Sequence, residues 1–448
     1  MSSSWLIFST LISILLVLFL VMRSKWQAFV ALLFSSFVLG LLAGMPVSDI
    51  IESIESGMGG TLGFVAVVIG LGAMFGRMLE VSGGAERLAQ TLIARFGENR
   101  AQWALALTGF AISIPVFLDV ALVILIPIIY SLGKKTGRSL LYYGIPLLAG
   151  LAVTHSFIPP TPGPIAVSEI VGADLGWVIL FGFIAGIPAT ILAGPLFGRY
   201  IAKKIHAVEP EYIRANLDEV DTSRELPSFR LIITLILLPL VLILGNTLSG
   251  VLLPEGDPIR TVLTFIGHPF AALLLVTLLA FYTLGRLRGY TKEDVQSIAT
   301  KALEPAGIII LITGAGGVFK QVLIDSGIGE MLGSYMQGTG LPPVMLAFLI
   351  ASVIRVAQGS ATVAMITAAG LMTPIIEALG VSGPHLALVV IAIAAGATIA
   401  SHVNDSGFWM VSRFFGLSER DTLRSWTVME TIIALVGFSV ALILSFFV

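Results

Sequence analysis

The sequence predicts an all-α polytopic membrane protein made of two inverted-topology repeats, each with a re-entrant hairpin and interrupted helices. Three observations lead to it. Of 448 residues, 56% are hydrophobic and 12% charged, against about 25% charged in an ordinary soluble domain. Lys and Arg gather in alternate connections, as the positive-inside bias requires. One stretch recurs without a gap in each half: FGRMLEVSGGAERL (75–88) aligns with FKQVLIDSGIGEML (319–332), pairing Phe75 with Phe319, Arg77 with Gln321, Leu79 with Leu323, Ser82 with Ser326, Gly83 with Gly327 and Glu86 with Glu330. Farther on, Thr154 and His155 match Ser401 and His402 at a slightly different offset. A formal charge of -2 gives no sign of nucleic-acid binding, and the lack of cysteine excludes disulfides, thiol chemistry and Cys-ligated metal.

The first half is read as residues 1–198. Residues 5–21 are the first span rather than a signal peptide, since no basic residue precedes them and no clear cleavage site follows. A basic link, Arg23 to Lys25, leads to a second span at about 26–44. The next loop, 45–59, carries Asp49, Glu52 and Glu55 without Lys or Arg, so it is external and the N-terminus is periplasmic. A third span, about 60–79, enters a cytoplasmic amphipathic stretch with Arg87, Arg95 and Arg100. Residues 103–132 are apolar but broken by Pro115 and Asp119, and Lys134, Lys135 and Arg138 follow. A re-entrant hairpin keeps both basic clusters inside; two full crossings give the same sidedness. A span at 141–157 stops at FIPPTPGP (157–164), where prolines prevent a continuous helix. An external loop with Glu169 and Asp174 precedes the fifth span, 176–198.

Residues 199–230 are the only long polar segment and read as a cytoplasmic linker. The second half, 231–448, has spans at about 231–252, 263–284, 303–323, 384–400 and 427–447, and a hairpin near 341–379 entered from outside. Ten full spans result, with both termini periplasmic. Of the 25 Lys and Arg residues, only Arg260, Lys320 and Arg355 fall outside the cytoplasmic set. Five spans per half is an odd number, so the halves run in opposite directions, the arrangement of many secondary transporters.

The organising stretch is 355–415, which begins RVAQGSATVAM (355–365) and reaches SHVNDSGFWM (401–410) after mostly apolar sequence. A guanidinium in hydrocarbon is costly and is kept for a ligand, a partner charge or a water-filled path. Arg355 can hold a carboxylate through two parallel hydrogen bonds, with Gly359, Ser360 and Thr362 as small donors beside it. The competing reading has Arg355 pair with Asp405 or snorkel. At the second break, Ser401, Asn404, Asp405 and Ser406 suit hydroxyl and anion binding, or form an ordinary helix cap. Phe408, Trp409 and Met410 read as packing. His155 and His402 are open to a substrate or proton role and to a structural one; their spacing forms no metal motif.

These motifs, with GMGGTLGFVAVVIGLGAMFGRMLEVSGGAERLA (57–89), THSFIPPTPGP (154–164) and SHVNDSGFWMVSRFFG (401–416), make the chain resemble the gluconate permease family of proton symporters over essentially its whole length. The resemblance implies uptake of gluconate or a related sugar acid, such as idonate or fructuronate, across the bacterial inner membrane. It also implies the wider ion transporter superfamily, whose members pair a scaffold with a moving transport domain, are usually dimeric and bind anions near hairpin tips. On that footing Thr161 joins the substrate-binding set; no cofactor is expected. The family often has Glu where PVFLDVALV (115–123) carries Asp119.

A sugar acid is anionic at neutral pH, its carboxyl titrating at roughly 3 to 4, and its entry into a negative-inside cell is opposed by about 2.3 kcal/mol per 100 mV. One proton cancels that work. The two intramembrane carboxylates nominated as its carrier are Asp119 and Asp405; the apolar neighbours Phe117, Leu118, Val120 and Leu122 favour Asp119 through desolvation. A passive anion channel is the main rival, since helix breaks and a polar path serve it too. No nucleophile elbow supports a hydrolase.

Overall fold

In hydrocarbon each peptide N–H and C=O must find its partner within the chain, so apolar runs of this length fold as helices. The computed structural model describes residues 3–210, 225–327 and 341–448, and every regular element among them is helical. A pair, α1 (Ser3–Met22) and α2 (Ala28–Leu42), precedes the 35-residue α3 (Val47–Val81). Amphipathic α4 (Gly84–Phe96) leads to α5 (Ala101–Ile112) and α6 (Leu118–Thr136), separated by a break at Pro115, and both pack on the helix that follows. Next come a broken helix, α7 (Leu141–Phe157) with α8 (Pro162–Val171), and α9 (Leu175–Ile191), which continues through a π-helical turn, Leu192–Leu196, to Ile201.

The second half follows the same order. It contains α10 (Phe229–Leu252), α11 (Pro258–Ile266) and α12 (Pro269–Ala280), then the 34-residue α13 (Lys292–Asp325). A hairpin, α14 (Pro343–Gln358) and α15 (Ala361–Ala378), precedes a broken helix, α16 (Pro384–Thr398) with α17 (Ser406–Phe414). A π-helical turn, Leu423–Thr427, opens the last helix, α18 (Val428–Leu444).

The repeated stretch has the same local geometry in both copies. Ser82 and Ser326 cap α3 and α13, each donating its hydroxyl 3.0 Å to the carbonyl three residues back, Leu79 and Leu323. Gly83 and Gly327 both turn the chain at positive φ, +81° and +73°. Residues 328–332 of the repeat, including Glu330, lie outside the described residues, as do 211–224 of the expected linker.

α3 and α13 pack together along much of their length and run antiparallel: Gly57 lies against Gly317, and Gly70 against Leu303. A Cβ at Gly57 would sit 2.7 Å from the Gly317 carbonyl oxygen, the close backbone approach that small residues permit between membrane helices. α5 docks on α7, and α14 on α16, by the same close backbone approach. In the first half, a Cβ on Gly150 of α7 would lie 2.2 Å from the Ala106 carbonyl oxygen of α5. In the second, a Cβ on Gly396 of α16 would lie 2.4 Å from the Phe348 carbonyl oxygen of α14.

Several sequence expectations are corrected. The outer loop 45–59 is mostly the first turns of α3, with Asp49, Glu52 and Glu55 exposed on it. At about 50 Å, from 1.5 Å per residue, α3 outruns the hydrocarbon core, so acidic residues ride on helix beyond it. Glu169 belongs to α8 rather than to a loop, because Pro162 sits at the first helical position and restarts the helix after the break. The second interruption covers 399–405, and α17 already begins at Ser406. Eight helices among the described residues are long and apolar enough to cross a membrane, with α7 and α8 taken as one. The expected spans 5–21, 26–44 and 384–400 fall on shorter apolar helices, and the eighth long helix is α15, an arm of the second expected hairpin.

The break at Pro115 presses on α3 at Gly76, where a Cβ would lie 1.8 Å from the Pro115 carbonyl oxygen; at Gly72, one turn earlier, the nearest atom is 3.6 Å away. Gly76→Ala should therefore lower the yield of monodisperse protein and abolish uptake, since overpacking against backbone costs about 1–3 kcal/mol or more. Gly72→Ala should behave as wild type. Equal yield and uptake for the two variants would show that the break does not seat on α3.

Candidate functional site

The second hairpin turns in two residues. Gly359 ends α14 in the left-handed region, φ +87°, and its N–H bonds back to the Arg355 carbonyl at 2.9 Å. Ser360 is the N-cap of α15, its hydroxyl accepting from the Val363 N–H at 3.4 Å, and Thr362 is half-buried in the first turn. Facing this tip is the interruption between α16 and α17, where Ala400 is held at φ +49°, an uncommon conformation for a residue with a side chain. A Cβ on Gly359 would meet the Asn404 carbonyl oxygen at 2.3 Å, so tip and interruption are in backbone contact.

Side chains stitch them together. Asn404 donates from Nδ2 to the Val356 carbonyl at 3.1 Å, and His402 Nε2 lies 3.1 Å from the same oxygen. Arg355 is 3% exposed. Its Nη2 donates to Asp405 Oδ2 at 2.6 Å, its Nη1 donates to the Gly359 carbonyl, and its buried Nε has no partner. Asp405 also caps α17, accepting from the Gly407 N–H at 3.1 Å, and accepts from the Ser401 hydroxyl. Ser401 is fully buried and in turn accepts from Trp426 Nε1 at 2.7 Å, while Thr427 donates to the Ser401 carbonyl. The π-helical turn before α18 thus supplies the groups that hold the interruption open, a use frequent for π turns at functional sites.

A cavity of about 510 Å³ opens beside this junction, bordered by Gln358, His402, Asn404, Asp405, Ser406 and Trp409. Lys25, from the basic link after α1, lies at its edge. Ser406 is exposed there. Trp409 is exposed too and donates to the Val403 carbonyl at 2.8 Å, whereas Phe408 is fully buried. Both aromatics pack, as expected, but differently: Phe408 lies in the core, and Trp409 packs edge-on against it, ring centroids 5.4 Å apart, with its other side toward the cavity.

The other expected residues form a separate group near the break between α5 and α6. His155 packs edge-on against Phe117, ring centroids 6.4 Å apart, feels the charge of Asp119, and keeps a buried Nδ1 without a partner. Thr161 turns its hydroxyl back to the Ile158 carbonyl at 2.7 Å. Asp119 stands in the first turn of α6 and is exposed. Its apolar sequence neighbours do not enclose it. No hydrogen bond or ion pair among the described residues joins the two groups. Nor does any cluster of three His, Asp or Glu side chains among them have the grouping to hold a metal ion.

Two residues escaped the sequence reasoning. Gln358 has both amide atoms buried and unpartnered at the cavity, and buried polar groups are ordinarily satisfied. Glu430, on α18, is 4% exposed and lies within electrostatic range of Arg355 and Asp405. A lone Glu in an apolar span was the available signal for it.

Comparison with known proteins agrees with this architecture. The model of the GntP family permeases matches residues 5–447. The chain is 45% identical to the low-affinity gluconate transporter of Escherichia coli K12 over 444 residues, 99% of each chain. It is 40% identical to a gluconate permease of Pseudomonas aeruginosa over 99% of this chain and 98% of the other. Its fold is similar to the crystal structure of the Alcanivorax borkumensis YdaH transporter, with a TM-score of 0.63, 17% identity and 90% of each chain covered. With a family model covering nearly every residue, this multi-pass membrane chain belongs to the GntP family of permeases.

Proposed function

We propose that this permease takes up gluconate, or a related sugar acid such as idonate or fructuronate, together with protons across the bacterial inner membrane by alternating access. The observation that carries the reading is the buried Arg355–Asp405 pair at the junction of a hairpin tip and a helix interruption, beside a cavity bordered by amide, hydroxyl and imidazole groups. A volume of about 510 Å³ is ample for a six-carbon acid and falls within the usual range of small-molecule sites. Arg355, with its spare Nε, takes the carboxylate. Gly359, Ser360, Thr362, His402, Asn404 and Ser406 meet the carboxylate and hydroxyls from the second half, and His155 and Thr161 from the first. Ser401 is buried behind Asp405 and sets its position.

The matched caps of α3 and α13, their antiparallel packing and the repeated element order support two inverted halves, 1–198 and 231–448, joined by a cytoplasmic linker at 199–230. α5–α6 and α14–α15 are then the two re-entrant hairpins, as in the ion transporter superfamily, and both termini are periplasmic. Lys25 at the edge of the cavity supports an opening on the cytoplasmic side, by the charge bias. The assembly is a homodimer in the bilayer.

Uptake into proteoliposomes tests the reading. Under an inward proton gradient, D-gluconate should accumulate saturably, and an uncoupler should collapse the accumulation. Uptake that only equilibrates and ignores the uncoupler would mark a passive channel. Robust fructuronate transport with none of gluconate would replace the substrate and leave the class intact.

A further inference from the structure

We infer that Glu430 is the proton-carrying carboxylate, and that it couples to the substrate by sharing the guanidinium of Arg355 with Asp405. The inference rests on the symport reading above and assigns its proton to one group. Glu430 lies almost fully buried on α18, and no described residue gives its carboxylate a hydrogen bond or a paired charge in contact. Asp405 is satisfied in every direction: Arg355, Ser401 and the Gly407 N–H all donate to it. Asp405 thus has its donors already, whereas Glu430 has none among the described residues and is the carboxylate of the two free to hold a proton of its own.

The charges facing Glu430 are Arg355 from α14 and Asp405 at the start of α17. Of the other elements packed on α18, α9 and its π turn carry no titratable residue, and the turn Leu423–Thr427 carries Arg424, which is exposed and does not act on Glu430. α16 carries only His385 near its outer end, and α7 carries Tyr142, Tyr143 and His155, none of which acts electrostatically on Glu430. The junction therefore holds one cation against two carboxylates. With both ionised it is negative before substrate arrives, and a second anion is repelled in a site where charges are poorly screened. Protonation of Glu430 makes the triad neutral, and the sugar acid can then engage Arg355. Departure of the substrate toward the cytoplasm restores the attraction between Arg355 and an ionised Glu430, and the proton leaves by the same cavity. One proton accompanies each anion, with no bond made or broken besides the carboxyl O–H.

Proteoliposomes carrying wild type first establish that gluconate accumulates with protons; failure there removes the symport reading itself. Given that, Glu430→Gln should still exchange gluconate in counterflow but lose proton-driven accumulation, its accumulation ratio falling to unity. Its gluconate binding should also become independent of pH, where wild-type affinity falls as pH rises. Wild-type accumulation and stoichiometry in Glu430→Gln overturn the assignment, as does loss of coupling in Asp119→Asn while Glu430→Gln retains it. Should Glu430→Gln fail to fold, Glu430→Asp and infrared difference spectra decide. A protonated-carboxyl band that responds to gluconate and moves in Glu430→Asp, with a displaced pH profile of uptake, supports the carrier. An unmoved band and profile overturn it.

Discussion

Replacing Arg355 with lysine is expected to weaken gluconate binding by roughly 10- to 150-fold, the equivalent of one lost charge-assisted hydrogen bond of about 1.5–3 kcal/mol. The native guanidinium serves Asp405 and the Gly359 carbonyl through different nitrogens and has Nε to spare. An ammonium is a point charge on a flexible stem and cannot reproduce that fork. Asp405 would keep a cation within reach, so the fold survives, but the substrate would compete with Asp405 for one group. Arg355→Gln goes further: it leaves buried carboxylates unpaired, a loss of about 3–5 kcal/mol when one partner of a buried pair is removed. Binding measured by calorimetry and thermal stability measured on the same preparations separate the two roles. Normal affinity in Arg355→Lys would leave Arg355 a structural partner of Asp405 and nothing more.

That the two roles were hard to divide from sequence has a physical reason. Hydropathy, charge bias and the gapless 75–88 match make the all-helical membrane class and the matched helix ends at Ser82 and Ser326 legible, because each depends on composition or on local cap chemistry that a linear pattern carries. The Arg355–Asp405 contact spans 50 positions in the chain and was readable only as one of two alternatives. Burial was less legible still. Asp119 has apolar neighbours on both sides in sequence yet is exposed, because its place in the first turn of α6 leaves one side open. Glu430 looks like an ordinary acid near the start of the last span, yet α7, α9, α14 and α16 close over that helix. Helix length was misjudged where acidic residues continue a helix past the membrane, as at Asp49 to Glu55 on α3. Acidic residues do not by themselves end a helix, so the lack of Lys and Arg over 45–59 bore on sidedness and not on where the helix starts.

Gly359→Ala is expected to abolish transport while the protein still folds. Two separate effects act at this position. Its φ of +87° places a side chain in the left-handed region, which costs a non-glycine residue roughly 1–2 kcal/mol. Its Cβ would also lie 2.3 Å from the Asn404 carbonyl oxygen and 2.8 Å from the carbonyl carbon, both backbone atoms that no rotamer change can move aside. The tip must then withdraw from the interruption, taking with it the Gly359 carbonyl that Arg355 Nη1 engages. Gly289→Ala isolates the first effect, because Gly289 has φ +88° and ψ 2° with nothing within 4 Å of its Cβ position. That variant should lose about 1–2 kcal/mol of stability and keep its uptake. Gly359→Ala should show a similar loss of thermal stability, together with gluconate affinity and counterflow reduced below detection. The comparison turns on function rather than stability: if Gly359→Ala transports as well as Gly289→Ala, hairpin tip and interruption need not touch during the cycle, and the site must be assembled elsewhere.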